Sequence, residues 1–264
     1  MTSTSSVHHI WWCPTGPLSF LPLHAAGIYP IGPKLSDFVV SSYTPTLSAL
    51  LNISYTRVKK EPQLLTVALP KVSYPPLPGT GREVDCIAKH ADNFHVFSLL
   101  DSQATSEEVA KAMQSSTWVH FACHGIQDNT DPTESCLSLA SNSKLTLMDI
   151  IKLSLKHAEL VFLSACETAT GDEKLQDEAV HLAAGMLLAG YHGVIATMWT
   201  IDDEFTIGVA DETYHLLFKE YGADSARAAE ALHFAVKKVS KEWEAKGKSS
   251  LFYSVPFIHM GLCS

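Results

Sequence analysis

From about residue 64 onward, short apolar runs alternate with longer segments in which apolar positions recur at helical spacing. The runs LLTVALP (64–70), FHVFSLL (94–100), WVHFACHG (118–125), AELVFLSAC (158–166), GVIATMW (193–199) and YSVPFIHMG (253–261) predict six main strands. Helices are predicted at 82–92, 105–113, 146–155, 177–190, about 203–219 and about 224–243. A Thr or Ser before acidic residues opens the helix at 105, and Asp177 and Gly190 bracket the one at 177–190. The short run CLSLA (136–140) reads as a strand of a small hairpin. Strands separated by helices require crossover connections, hence a mainly parallel sheet. The runs are apolar at nearly every position instead of every second one, which fits a sheet covered by helices on both faces.

The first 60 residues differ, with Pro and Gly at 14, 16, 17, 22, 27, 30, 32 and 33. DFVVSSY (37–43) is one expected strand there, and His8, His9, Trp11 and Trp12 are expected at strand and packing positions. Residues 1–60 read as an extension packed on a main domain of 61–264. At 264 residues, 46% hydrophobic and 18% charged, the chain can bury a substantial core. Its net charge of -9, without blocks of Lys or Arg, argues against non-specific binding to nucleic acid or to an anionic membrane. No apolar run approaches the ~18 residues of a membrane span, and MTSTSSVHHIWWCPTG lacks the features of a signal peptide. Six scattered cysteines in a chain of this size read as reduced thiols, so a cytoplasmic protein is expected.

His124 and Cys166 lie 42 residues apart at the same relative place, the end of an apolar run. In an open parallel sheet, chemistry collects at the carboxyl edge. Neighbouring strands are ~4.8 Å apart, so a base and a thiol on adjacent strand ends would face each other. A nearby imidazole can activate a thiol or protonate a leaving amine. Gly125 leaves room for a substrate carbonyl and offers an unobstructed N–H to an oxyanion. Against this stands the ordinary fate of a strand cysteine, which is burial in the core.

HFACHG, LVFLSACET and AAGMLLAGYHGVIATMWTIDDE resemble the CHAT family, a caspase-like module of the group that includes caspases, gingipains, legumains and separases. The resemblance extends to LSFLPLHAAG (18–27), YTPTLSALL (43–51) and LPGTGREVD (77–85), most of the chain. It implies an α/β three-layer sandwich with a six-stranded sheet of order 2-1-3-4-5-6. It also implies a catalytic dyad of His124 and Cys166, with the backbone of Gly125 and Cys166 binding the oxyanion. Two features depart from the pattern: Glu167 follows the cysteine where caspases carry a basic or small residue, and no tetratricopeptide segment is present. A helical-repeat sensor or regulatory partner would then be either missing or separate. In the similar separase motif, an acidic residue four after the tryptophan lies near the pocket for a basic residue. Here that position is Asp203, and a buried carboxylate would suit cleavage after Arg or Lys. The alternative is that Asp202 or Asp203 simply caps the next helix.

Other candidate chemistry recedes. Cys123 should point opposite to His124 and sit under a helix. His120, Cys123 and His124 lack a second ligand pair for zinc, GTGREV (79–84) lacks the third Gly and the GK[ST] of phosphate loops, and no G-x-S-x-G elbow occurs. The resulting expectation is a latent cysteine endopeptidase acting on protein or peptide substrates, without metal or organic cofactor. The competing expectation is a caspase-like interaction module whose catalytic residues are not used.

Overall fold

The computed structural model describes residues 8–52, 63–73, 76–91, 94–126, 128, 131–164, 178–199 and 201–262. Its strands are β1 (His8–Trp12), β2 (Val39–Tyr43), β3 (Gln63–Ala68), β4 (His95–Leu100), β5 (Trp118–Ala122), β6 (His124–Ile126), β7 (Cys136–Ser138), β8 (Lys144–Thr146), β9 (Leu160–Leu163), β10 (Gly193–Thr197) and β11 (Phe257–Gly261). Its helices are α1 (Leu47–Asn52), α2 (Gly79–His90), α3 (Ser106–Ser115), α4 (Leu147–Lys152), α5 (Glu178–Ala189), α6 (Asp203–His215), α7 (Ala228–Ala245) and α8 (Leu251–Ser254).

Eight strands form one sheet in the order β1-β2-β11-β10-β9-β5-β3-β4. All its pairings are parallel except that of β10 with β11. The sheet is therefore wider than the six strands expected, because β1 and β2 from the first 60 residues add to the β11 edge. A second, antiparallel sheet contains β6, β7 and β8.

Alternation along the buried strands sorts side chains into two layers. Val119 and Phe121 of β5 and Val161 and Leu163 of β9 pack in one cluster with Val109 and Met113 of α3, Ile150 of α4 and Met186 of α5. Trp118, Leu160 and Phe162 point the other way, into a cluster with Ile87 of α2, Phe205 and Tyr214 of α6, and Leu232 and Trp243 of α7. Both faces being covered explains why the strand runs are apolar throughout. Thr105 caps α3 by accepting from the Glu108 N–H at 3.4 Å, and Thr146 caps α4 in a reciprocal capping box with Asp149.

Two of the apolar runs change structure part-way along. The run at 118–125 leaves the large sheet after Ala122 and enters the small one at His124. At 253–261 the first residues belong to α8 instead, and pairing with β10 begins at Phe257, after Pro256, which has no N–H to donate. The predicted helix at 203–219 is α6 followed by one π-helical turn at Leu216–Glu220. Among the described residues, no helix is long and apolar enough to cross a membrane.

Candidate active site

β5 and β9 are immediate neighbours, in parallel register from Trp118↔Leu160 to Phe121↔Leu163. The Ser164 N–H extends this ladder by donating to the Phe121 carbonyl at 2.8 Å. Both chains are thus held side by side until they leave the carboxyl edge. Cys166, two residues beyond Ser164, lies outside the described residues, as does Glu167.

His124 stands two residues beyond the end of β5 and is buried, with 6% exposure. The small sheet carries it: His124 pairs with Ser138, and Gly125 with Leu137. Its backbone is therefore fixed by a ladder of its own, anchored through β7 to β8 by Leu137↔Leu145. Leu137, wholly buried, ties that sheet to the main core. Cys123, between the two sheets, is 1% exposed and sits in the core cluster that contains α3 and α5 residues. Burial pushes its thiol up to about 12, so it stays protonated and unreactive at neutral pH.

The two aspartates after β10 have separate roles. Asp202 is the N-cap of α6, its Oδ1 accepting from the N–H groups of Glu204 at 3.0 Å and Phe205 at 3.2 Å. Asp203 is consequently free of that duty, and its side chain is exposed instead of buried as the sequence reading supposed. It rests against Gly79 at the start of α2, where an added Cβ would meet Asp203 Oδ2 at 3.0 Å. Asp203, Glu83, Cys123 and Ser164 line one small cavity, which brings Asp203 to the edge where β9 ends. Partial burial, and then the neighbouring Asp202, Glu83 and Glu204, raise its carboxyl above the ordinary carboxylate range. Such a carboxylate among carboxylates gains from the arrival of a cation.

A buried pair beneath this edge was not anticipated. Glu83 of α2 brings Oε1 within 3.1 Å of His120 Nε2, with side chains 4% and 0% exposed. The approach is close enough for an ion pair, yet not aligned as a hydrogen bond. The other ring nitrogen lies 3.3 Å from the Tyr214 hydroxyl of α6. His120 thereby joins β5 to both helices on that face. Nothing in the local sequence marks Glu83, since a glutamate in the first turns of a helix normally faces water. Trp199, just past β10, donates its indole N–H to the Phe252 carbonyl of α8 at 3.4 Å. Among the described residues, no group of three His, Cys, Asp or Glu is arranged to hold a metal ion.

The family model of the CHAT domain matches residues 2–261. The chain belongs to the CHAT domain family. Similar solved structures include the complex of Porphyromonas gingivalis RgpB pro- and mature domains, at 11% identity and a TM-score of 0.59, covering 84% of this CHAT chain and 55% of that one. Another is the Saccharomyces cerevisiae separase–securin complex at 2.6 Å, at 15% identity and a TM-score of 0.52, covering 86% of this chain. The CHAT chain spans only 14% of that separase-complex chain, and at such identities the likeness is one of fold. No curated protein matches the chain. The family match and these neighbours give the CHAT chain the mixed α/β fold of the gingipain and separase structures, a large and mainly parallel sheet flanked by helices.

Proposed function

We propose that this CHAT domain is a cysteine endopeptidase with His124 and Cys166 as its dyad. The carrying observation is the β5–β9 adjacency: the ladder runs to Ser164, two residues before the cysteine, while His124 emerges two residues past β5. In the reaction, Cys166 gives its proton to His124 and its sulfur attacks the scissile carbonyl. The oxyanion is met by the N–H groups of Gly125 and Cys166, and His124 returns the proton to the leaving amine. Water then hydrolyses the thioester, with His124 taking the water's proton and restoring the thiol. No metal or organic cofactor enters this scheme.

Asp203 is the group we assign to recognition of Arg or Lys before the scissile bond. Its raised carboxyl and its release from capping support that role. The polar segments 126–135 and 167–176 flank the dyad in the sequence, and we assign to them the place where a regulatory protein partner would raise activity.

The test is labelling by an acyloxymethyl ketone bearing Arg or Lys, read by mass spectrometry. The expected adduct is on Cys166, absent in Cys166→Ala and weakened in His124→Ala. If a broad electrophile panel leaves Cys166 unlabelled, and partner binding survives both substitutions, the domain is an interaction module instead.

A further inference from the structure

A cavity of about 480 Å³ lies between the N-terminal segment leading into β2 and helices α7 and α8. That volume is in the range that accommodates a small organic ligand. It lies over β2 and β11, with β10 intervening before β9 and β5, so the dyad is not part of its lining.

The N-terminal wall is pinned. His24 Nε2 lies 2.8 Å from the Val255 carbonyl, which can only accept, so Nε2 carries the proton. Burial pushes this histidine down to about 4, leaving it neutral, and Nδ1 therefore accepts from the Tyr43 hydroxyl at 2.7 Å. The opposite wall is apolar where Leu232 and Val236 of α7, Leu251 of α8 and Phe257 of β11 face in.

The charges are unbalanced. Three lysines, Lys34, Lys237 and Lys241, line the cavity against two carboxylates, Asp37 and Glu244. Both carboxylates are already engaged. Asp37 accepts from the Lys34 backbone N–H at 3.0 Å and from the Lys237 ammonium at 3.4 Å. Glu244 accepts from the Ser250 hydroxyl at 2.6 Å. Among the described residues, the ammonium groups of Lys34 and Lys241 pair with no carboxylate. Lys34 rests over the Tyr29 ring, 4.9 Å from its centroid.

We propose that this cavity binds an amphipathic organic anion, its apolar body against Leu232, Val236, Leu251 and Phe257 and its single carboxylate or phosphate met by Lys34 and Lys241. The apolar wall supplies burial without selectivity, and Lys34 and Lys241, which lack a close carboxylate among the described residues, supply the sign preference.

Calorimetric titration of the whole chain with dodecanoate, dodecyl phosphate and dodecyltrimethylammonium, each below its micelle concentration, tests this. One molecule of at least one anion should bind per chain, and the cationic amphiphile at least tenfold more weakly. Lys34→Glu and Lys241→Glu should each weaken anion binding by about tenfold, since Lys241 is exposed and Lys34 half-buried and neither belongs to a core cluster. Val236→Trp, checked for a native circular dichroism spectrum, should reduce it further by filling the apolar end. Dodecanoate and dodecyl phosphate differ only in the head group, so their ranking separates a carboxylate from a phosphate ligand. The proposal is overturned if neither anion binds, if the cation binds equally well, or if both lysine variants bind unchanged.

Discussion

Acidification from pH 7 to pH 5 should destabilise this domain through histidines at the seam between its N-terminal segment and β11. His259 is fully buried, with Nδ1 2.7 Å from the Ser42 hydroxyl oxygen, which in turn lies 2.9 Å from His9 Nε2. Ser42 can donate its one hydroxyl hydrogen to only one of the two rings, so the other must donate to its oxygen, and protonating both would set two positive rings around one buried hydroxyl. Burial pushes His259 down to about 3 and His24 to about 4, from an ordinary value of 6.5. Between 6.5 and those values the unfolded chain binds a proton at each site that the folded chain does not. Stability is therefore full above 6.5 and falls as pH drops towards 4, by about 1.4 kcal/mol per pH unit per histidine once well below 6.5. From pH 7 to pH 5 this amounts to about 2 kcal/mol for each, or about 4 kcal/mol together, against a typical net stability of ~5–15 kcal/mol. His9 and His233, each pushed down to about 4 chiefly by burial, act in the same direction with smaller weight because they are less enclosed. Urea midpoints measured at half-unit steps between pH 7.5 and pH 5 check this, since ordinary carboxylates titrate below that window. The slope against pH should fall by more than half in a His24→Gln/His259→Gln double variant. A flat profile in the parent, or an unchanged slope in the double variant, would show that these rings are not held neutral by the fold.

Four single substitutions probe the site and the frame around it. Glu83→Ala should cost about 1–3 kcal/mol in denaturant stability, because it leaves the buried His120 Nε2 without its neighbouring carboxylate, whereas Glu83→Leu with His120→Phe should recover most of the loss. If the single variant is as stable as the parent, the buried pair is not structural. Gly190→Ala should cost at least about 1 kcal/mol, since the residue has φ +118° and an added Cβ would come 2.5 Å from the Leu155 carbonyl oxygen; melting temperature is the readout. Asp202→Ala should lose a helix cap worth about 1 kcal/mol. Asp203→Ala should leave stability intact while removing preference for Arg or Lys in a peptide library, and an unchanged preference would exclude it from recognition.

The main strands were legible because a strand covered on both faces must be apolar at every position, a demand few other segments make. Their ends were less legible. WVHFACHG reads as one strand, yet its last residues pair with Ser138 and Leu137 in another sheet, and nothing within the run announces a change of partner. YSVPFIHMG begins in a helix because a short apolar stretch suits either structure until a neighbouring strand supplies hydrogen bonds. The aspartates after β10 were ambiguous for a similar reason: only the course of the backbone decides whether Asp202 or Asp203 faces the first N–H groups of α6.

Composition and periodicity by themselves determined the class of fold and the covered sheet, and the motifs carried the resemblance to the family, since those depend on patterns within single segments. Tertiary structure alone decided the eight-stranded width of the sheet, the meeting of Glu83 with His120, and the cavity between residues 24–43 and 229–259. Each of these joins segments remote along the chain, and the energy of such a contact exists only once the fold has brought both sides together.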